Sequence, residues 1–190
     1  MKKILYNRES ECLQPLRELI ENQTHRTLAL WALDCAAPML ALFESRVKED
    51  LRPREALITA RAWMRGEVKM PEAKRAIHAA HNAATQAKND IIACSAARAV
   101  GHAAATVHVE THALGLPFYG LTALTYLDRM HAEQAVANEI KRYYDRLLYF
   151  QENTDRLNLP WAAFLLRDAP NKERALRLRE QSRRPGNHKT

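Results

Sequence analysis

The chain has 190 residues, 47% of them hydrophobic, and a formal net charge of +7, enough for one domain with a substantial buried core and too few for two. No run of eighteen uncharged apolar residues is present and the opening MKKILYNRES turns polar at once, which argues against a membrane span and an exported precursor. Residues 167–190 hold eight Lys/Arg and three Asp/Glu, and subtracting these from the totals of 29 and 22 leaves 21 and 19, so the body is nearly neutral and the charge belongs to a C-terminal arm.

Taken in order, Tyr6 to Ile20 carries Leu13, Leu16, Leu19 and Ile20 at helical spacing, with Pro15 tolerable only in the first turn. From Thr24 to Lys48 the stripe Leu28, Trp31, Cys35, Met39, Leu42 predicts a helix that Pro38 bends or breaks. Arg54 to Arg65 reads as a helix closed by Gly66, and Pro71 to Lys88 as one opened by Pro71.

Asn89 to Gly115 is twenty-seven residues dominated by alanine. Composition predicts a single long helix, capped by Asn89 or Asp90 and ended by Gly115, enclosed by its neighbours because it is small and apolar nearly all round. Leu116 to Asp128 predicts a further helix. Met130 to Gln151 predicts an amphipathic one burying Val136, Ile140, Tyr144, Leu147 and Leu148.

Leu157 to Leu166 is expected to dock, Pro170 to Glu180 to form a charged helix, and RRPGNHKT to fray. The expected fold is therefore all-α: a compact multi-helix bundle around a central alanine-rich helix. Residues 1–166 form its helical domain, and 167–190 a basic C-terminal helix and frayed tail.

The three cysteines, Cys12, Cys35 and Cys94, are far apart and odd in number. That pattern reads as reduced, buried thiols of a cytoplasmic protein rather than a disulfide framework. No glycine-rich phosphate loop, Cys-x-x-Cys pair or G-x-S-x-G turn occurs, no catalytic residue is assignable, and enzyme activity is left open.

Histidines are the residues that invite chemistry. His108 and His112 lie four apart, a spacing suited to two ligands on one helical face, with His78 and His81 as candidate metal ligands from another helix. The string HVETH departs from the zinc-peptidase pattern, in which glutamate follows the first histidine directly. On one straight helix His102 would sit about 15 Å along the axis from His112 and could not share its site. The expected reading is that these imidazoles hydrogen-bond across alanine-rich interfaces without any cofactor, zinc or another transition metal being the alternative.

Asp34, Arg61, Arg98 and His102 form a candidate polar cluster, Asp34 or Glu55 serving as carboxylate for a buried guanidinium.

The succession ALWALDCAAPMLALFE (29–44), RPREALITARAWMRGE (52–67), AIHAAHNAA (76–84) and AARAVGHAAATVHVETHALG (96–115) resembles the Imm-5-like immunity proteins of bacteria over about residues 25 to 130. The resemblance implies an all-helical bacterial cytoplasmic protein that neutralises a cognate toxin by binding it, without catalytic residues to transfer. Two other classes stay open beside it: a metal-dependent hydrolase or metal-binding protein built on His108 and His112, and a nucleic-acid-associated protein. The latter would use Arg177, Arg179, Arg183 and Arg184 of the tail, which lacks interleaved aromatics. No membrane partner is expected, and the sequence leaves the oligomeric state unspecified.

Overall fold

The computed structural model describes residues 4–167 and 169–183, among which there are helices and no strands. The expected fraying of RRPGNHKT lies, beyond Arg183, outside the described residues.

Pro15 stands in the first turn of α1 (Gln14–Glu21), which follows a short 3-10 turn at Glu11–Leu13. Helix α2 (His25–Cys35) starts at Thr24, whose side chain accepts from the Thr27 amide. Pro38 sits in the first turn of α3 (Ala37–Arg46), so the expected break falls at Ala36. The stretch His25–Arg46 is apolar and long enough to match a membrane span by composition, and 61% of its most apolar window is buried inside the body. Its hydropathy is that of a core element.

Pro53 opens α4 (Arg52–Met64), and Gly66, the one described residue with positive φ (79°), closes it. There the Glu67 amide reaches back to the Ala62 carbonyl and the Gly66 amide to that of Trp63, a left-handed cap that glycine adopts without a Cβ penalty. Helix α5 (Met70–Gln86) is opened by Pro71.

Asp90 caps α6 (Ile91–Ala105) by accepting from the amides of Ile92 and Ala93 at 3.0 and 3.1 Å. This is the expected central helix: ten of its residues from Ala93 to Ala105 are buried, and it lies against α2, α3, α4 and α5. It is shorter than expected. Helix α6 stops at Ala105 instead of running to Gly115, and a 3-10 turn at Glu110–His112 follows. Two causes are visible. Thr106, Val107 and Val109 are β-branched and lose rotamer freedom in a helix, and the Thr106 carbonyl accepts from His25 Nε2 at 2.7 Å instead of continuing the helical ladder.

Gly115 consequently opens α7 (Gly115–Leu127) rather than closing α6. Helix α8 (Ala132–Asn153) buries Val136, Tyr143, Leu147 and Phe150. The expected seam was rotated by one residue at Tyr144, and Leu148 is on the exposed side. Tyr143 is fully enclosed, its carbonyl accepting from the buried Trp31 indole at 2.9 Å.

Residues 157–166 dock as expected: the Ala162 amide donates to the Met64 carbonyl, and Phe164 packs on Trp63 with ring centroids 5.1 Å apart.

Helix α9 (Lys172–Arg183) lies along α1. Its first turn is fastened by Asn171, whose Oδ1 accepts from the Glu173 and Arg174 amides while its Nδ2 donates to the carbonyls of Ile20 and Gln23. Glu110 adds a bond from the Lys172 amide at 3.0 Å. Below it, Glu21 and Glu173 have no exposed side-chain surface and are held by Arg8, Arg17 and Arg177. Buried acids of this kind demand such partners, because removing one partner costs about 3–5 kcal/mol.

Of the cysteines, Cys35 is buried, Cys94 half-buried and Cys12 exposed. The expectation of three buried thiols fails at Cys12, which precedes Leu13 on the outer side of the first turn. Burial pushes the Cys35 thiol up to about 12, making it inert.

Candidate functional site

Three imidazoles from three elements meet beside the end of α6. His81 projects from α5, His102 from α6, and His112 from the 3-10 turn. The rings of His81 and His102 are 5.2 Å apart edge to face, those of His102 and His112 are 5.5 Å apart, and Tyr119 of α7 stacks on His102 at 5.2 Å. His102 and His112 share a hydrogen bond between their Nδ1 atoms at 3.3 Å, which requires one ring to donate and the other to accept.

Two glycines make room for these rings. A Cβ at Gly115 would lie 2.3 Å from His102 Cγ, and one at Gly101 would lie 2.7 Å from His81 Cε1. At Gly101 the close neighbour is the imidazole of His81.

The environment keeps the rings neutral. Burial, followed by the charges of Arg98, His112 and His78, lowers His81 to about 4. Burial, followed by His81, His112 and Arg98, lowers His102 to about 3. His112 is lowered too, by burial and then Arg8. At neutral pH the cluster is a set of uncharged rings, aromatic in packing and with little proton affinity.

Because α6 ends at Ala105, the expected pairing of His108 with His112 on one helical face does not form. His108 packs on Trp63 with centroids 5.7 Å apart, and His78 is exposed on α5. His102, placed out of reach of His112 by the assumption of a straight helix, is its direct partner. Zinc sites take three or four protein ligands; His102 and His112 offer two adjacent nitrogens, and among the described residues no three His, Cys, Asp or Glu side chains group to hold a metal.

The polar cluster expected of Asp34, Arg61, Arg98 and His102 divides in two. Arg98 sits at the histidine cluster, donating to Thr85 Oγ1 at 3.1 Å and toward His81 Nδ1 at 3.5 Å. Asp34 pairs with Arg146 of α8 at 2.9 Å, Arg61 donates to the Leu33 carbonyl at 2.7 Å, and Arg142 donates to that of Cys35. These cations surround the C-terminus of α2, where carbonyls without helical partners carry partial negative charge.

A cleft of about 630 Å³ opens between the α1–α2 corner, residues 164–167, Ala169 and Pro170, and α9, with His108 and Glu110 among its lining residues. Sequence reasoning missed Glu110 and Asn171 as the groups that build it. Asn171 had a signal, since it precedes a charged helix and follows Pro170, as an N-cap does. Glu110 had none, because its role depends on α6 ending early.

The family model described as "Imm-5 like putative immunity protein" matches residues 18–148, extending past the stretch of resemblance at both ends. No curated protein and no solved structure matches the chain. With a match that spans well over half of the 190 residues, and an all-α bundle beneath it, the chain belongs to the Imm-5-like family.

Proposed function

We propose that this chain is a bacterial cytoplasmic immunity protein that neutralises a cognate protein toxin by binding it. Family membership over residues 18–148 is the observation that carries the reading. The geometry supports it in a general way: α6 is clamped on several sides by other helices, and the cluster of His81, His102 and His112 is spent on internal contacts. A rigid body with pre-formed surfaces suits tight association, since little ordering is left to be done on binding.

Purification of the tagged full chain from its native cells, under mild conditions and at low protein concentration, tests the reading. A single protein partner recovered in fixed stoichiometry is expected, and co-expression should protect cells against that partner. Repeated recovery of the chain alone, or a partner that is harmless to cells lacking this chain, overturns it.

A further inference from the structure

The cleft beside α9 has a composition that neither the family nor the histidine cluster explains. Among the described residues six ionic side chains line it: Glu21, Arg26, Glu110, Arg167, Lys172 and Arg174. The two acids face inward and are already engaged, Glu21 by Arg17 and Arg177, Glu110 by the Lys172 amide and ammonium group. Arg26 pairs with Asp155, whose side chain is 80% exposed, an arrangement that contributes little in water. Among the described residues Arg167 and Arg174 have no acidic partner, and both are exposed. The cleft therefore presents uncommitted positive charge over a lining that includes Leu165, Leu166, Pro170 and Leu178.

We propose that this cleft is the docking surface for an acidic, partly apolar segment of a protein partner. The proposal rests on the immunity reading and deepens it by naming the chemistry of the segment that is bound. Charge complementarity fixes the sign, since cations without internal partners are the ones free to neutralise incoming carboxylates. The apolar lining favours a polypeptide over a nucleic acid. Phe164, an aromatic ring in the lining, is committed to Trp63 at 5.1 Å and is not free to stack on a base.

The two walls differ in origin. Glu21, Arg26, His108 and Glu110 fall within the family match, whereas Arg167, Lys172, Arg174 and Leu178 follow its end at residue 148. The second wall is therefore the part that sets which partner is accepted, a division suited to proteins that must each recognise one target.

The test uses the full chain, a fluorescein-labelled peptide of alternating glutamate and leucine, and a labelled oligothymidylate of equal net charge, followed by fluorescence anisotropy at low and at physiological salt. The Arg167→Glu, Arg174→Glu double variant is compared with a Lys69→Glu, Arg75→Glu control, which reverses two exposed charges on and just before α5, outside the cleft. The peptide is expected to bind the wild type and the control alike, and to bind the cleft variant at least about tenfold more weakly.

Equal weakening in both double variants would show attraction to net charge alone and overturn the proposal. So would oligothymidylate binding with the same sensitivity to the cleft reversal, or no peptide binding at all. If the native partner still co-purifies with the cleft variant, the docking surface lies elsewhere while the immunity reading stands; if no toxin partner exists, that reading falls by itself.

Discussion

Replacing Gly115 by alanine probes the histidine cluster directly. The added Cβ would stand 2.3 Å from His102 Cγ, 2.5 Å from Nδ1 and 2.6 Å from Cβ, where ordinary contact begins at 3.4 Å, so the neighbour must retreat by 3.4 − 2.3 = 1.1 Å. Rotating the ring does not provide that distance, because the His102 Cβ is fixed to the backbone of α6. Overpacking of this kind costs about 1–3 kcal/mol.

Alanine also gains up to about 1 kcal/mol over glycine in a helix. Gly115 lies in the first turn of α7, where the gain is smaller, so the clash wins. At about 2–4 °C per kcal/mol for a chain of this size, the midpoint should fall by about 2–12 °C. Thermal unfolding followed by circular dichroism of wild type, Gly115→Ala, His102→Ala and the double variant closes a cycle. The double variant should be more stable than the two single losses predict, since removing the imidazole removes the contacts at 2.3 and 2.5 Å and leaves only the one with Cβ at 2.6 Å. Additivity within about 0.5 kcal/mol would refute the reasoning.

Acid should weaken the fold. His102 and His81 have folded values of about 3 and about 4 against 6.5 for a free imidazole, so the unfolded chain binds more protons as pH falls. Their contribution is complete above 6.5 and is lost progressively as the pH drops toward those folded values. For His102 alone, going from about pH 7 to about pH 5 removes roughly 2 kcal/mol. Urea midpoints across that range should show the decline, and His102→Gln should flatten it; an unchanged slope in the variant would count against the cluster as its source.

Glu110→Ala leaves the Lys172 amide without its acceptor and should cost about 1–3 kcal/mol. Limited proteolysis should then cut near residues 167–172 faster than in the wild type. Thr24→Ala removes the α2 cap and should lower stability by about 1 kcal/mol, read from the urea midpoint. Gly66→Ala, at φ 79°, should destabilise although the nearest atom to the added Cβ is a comfortable 3.6 Å away, so that any loss measured there reports backbone strain alone.

The helical plan was legible because its signals are local. Prolines 15, 38, 53 and 71 each sit in a first turn, Asp90 caps the helix it precedes, and Gly66 takes the left-handed conformation a helix end requires. The error at Asn89–Gly115 came from weighing alanine content above the β-branched run Thr106, Val107, Val109. The decisive contact, His25 on the Thr106 carbonyl, joins residues 81 positions apart.

That single boundary governed the site. Once the chain turns at Thr106, His112 folds back onto His102, His108 goes to Trp63, and Glu110 reaches α9. The composition of α6 carried the architecture, whereas the meeting of imidazoles depended on where that helix stopped, which spacing alone does not encode.

The fastening of α9 at its first turn has a corollary. Asn171 and Glu110 form a socket at one end of the arm, while the side chains of Leu176 and Leu178 farther along remain substantially exposed. An arm of different sequence needs to supply an asparagine for the socket, an acid placed to meet Arg8 and Arg17, and a cation placed to meet Glu21. Exchanging the arm from the socket onward would then change the cleft wall of Lys172, Arg174 and Leu178 without refolding the rest, and chimaeras joined between the docked segment and the socket are the natural way to make that exchange.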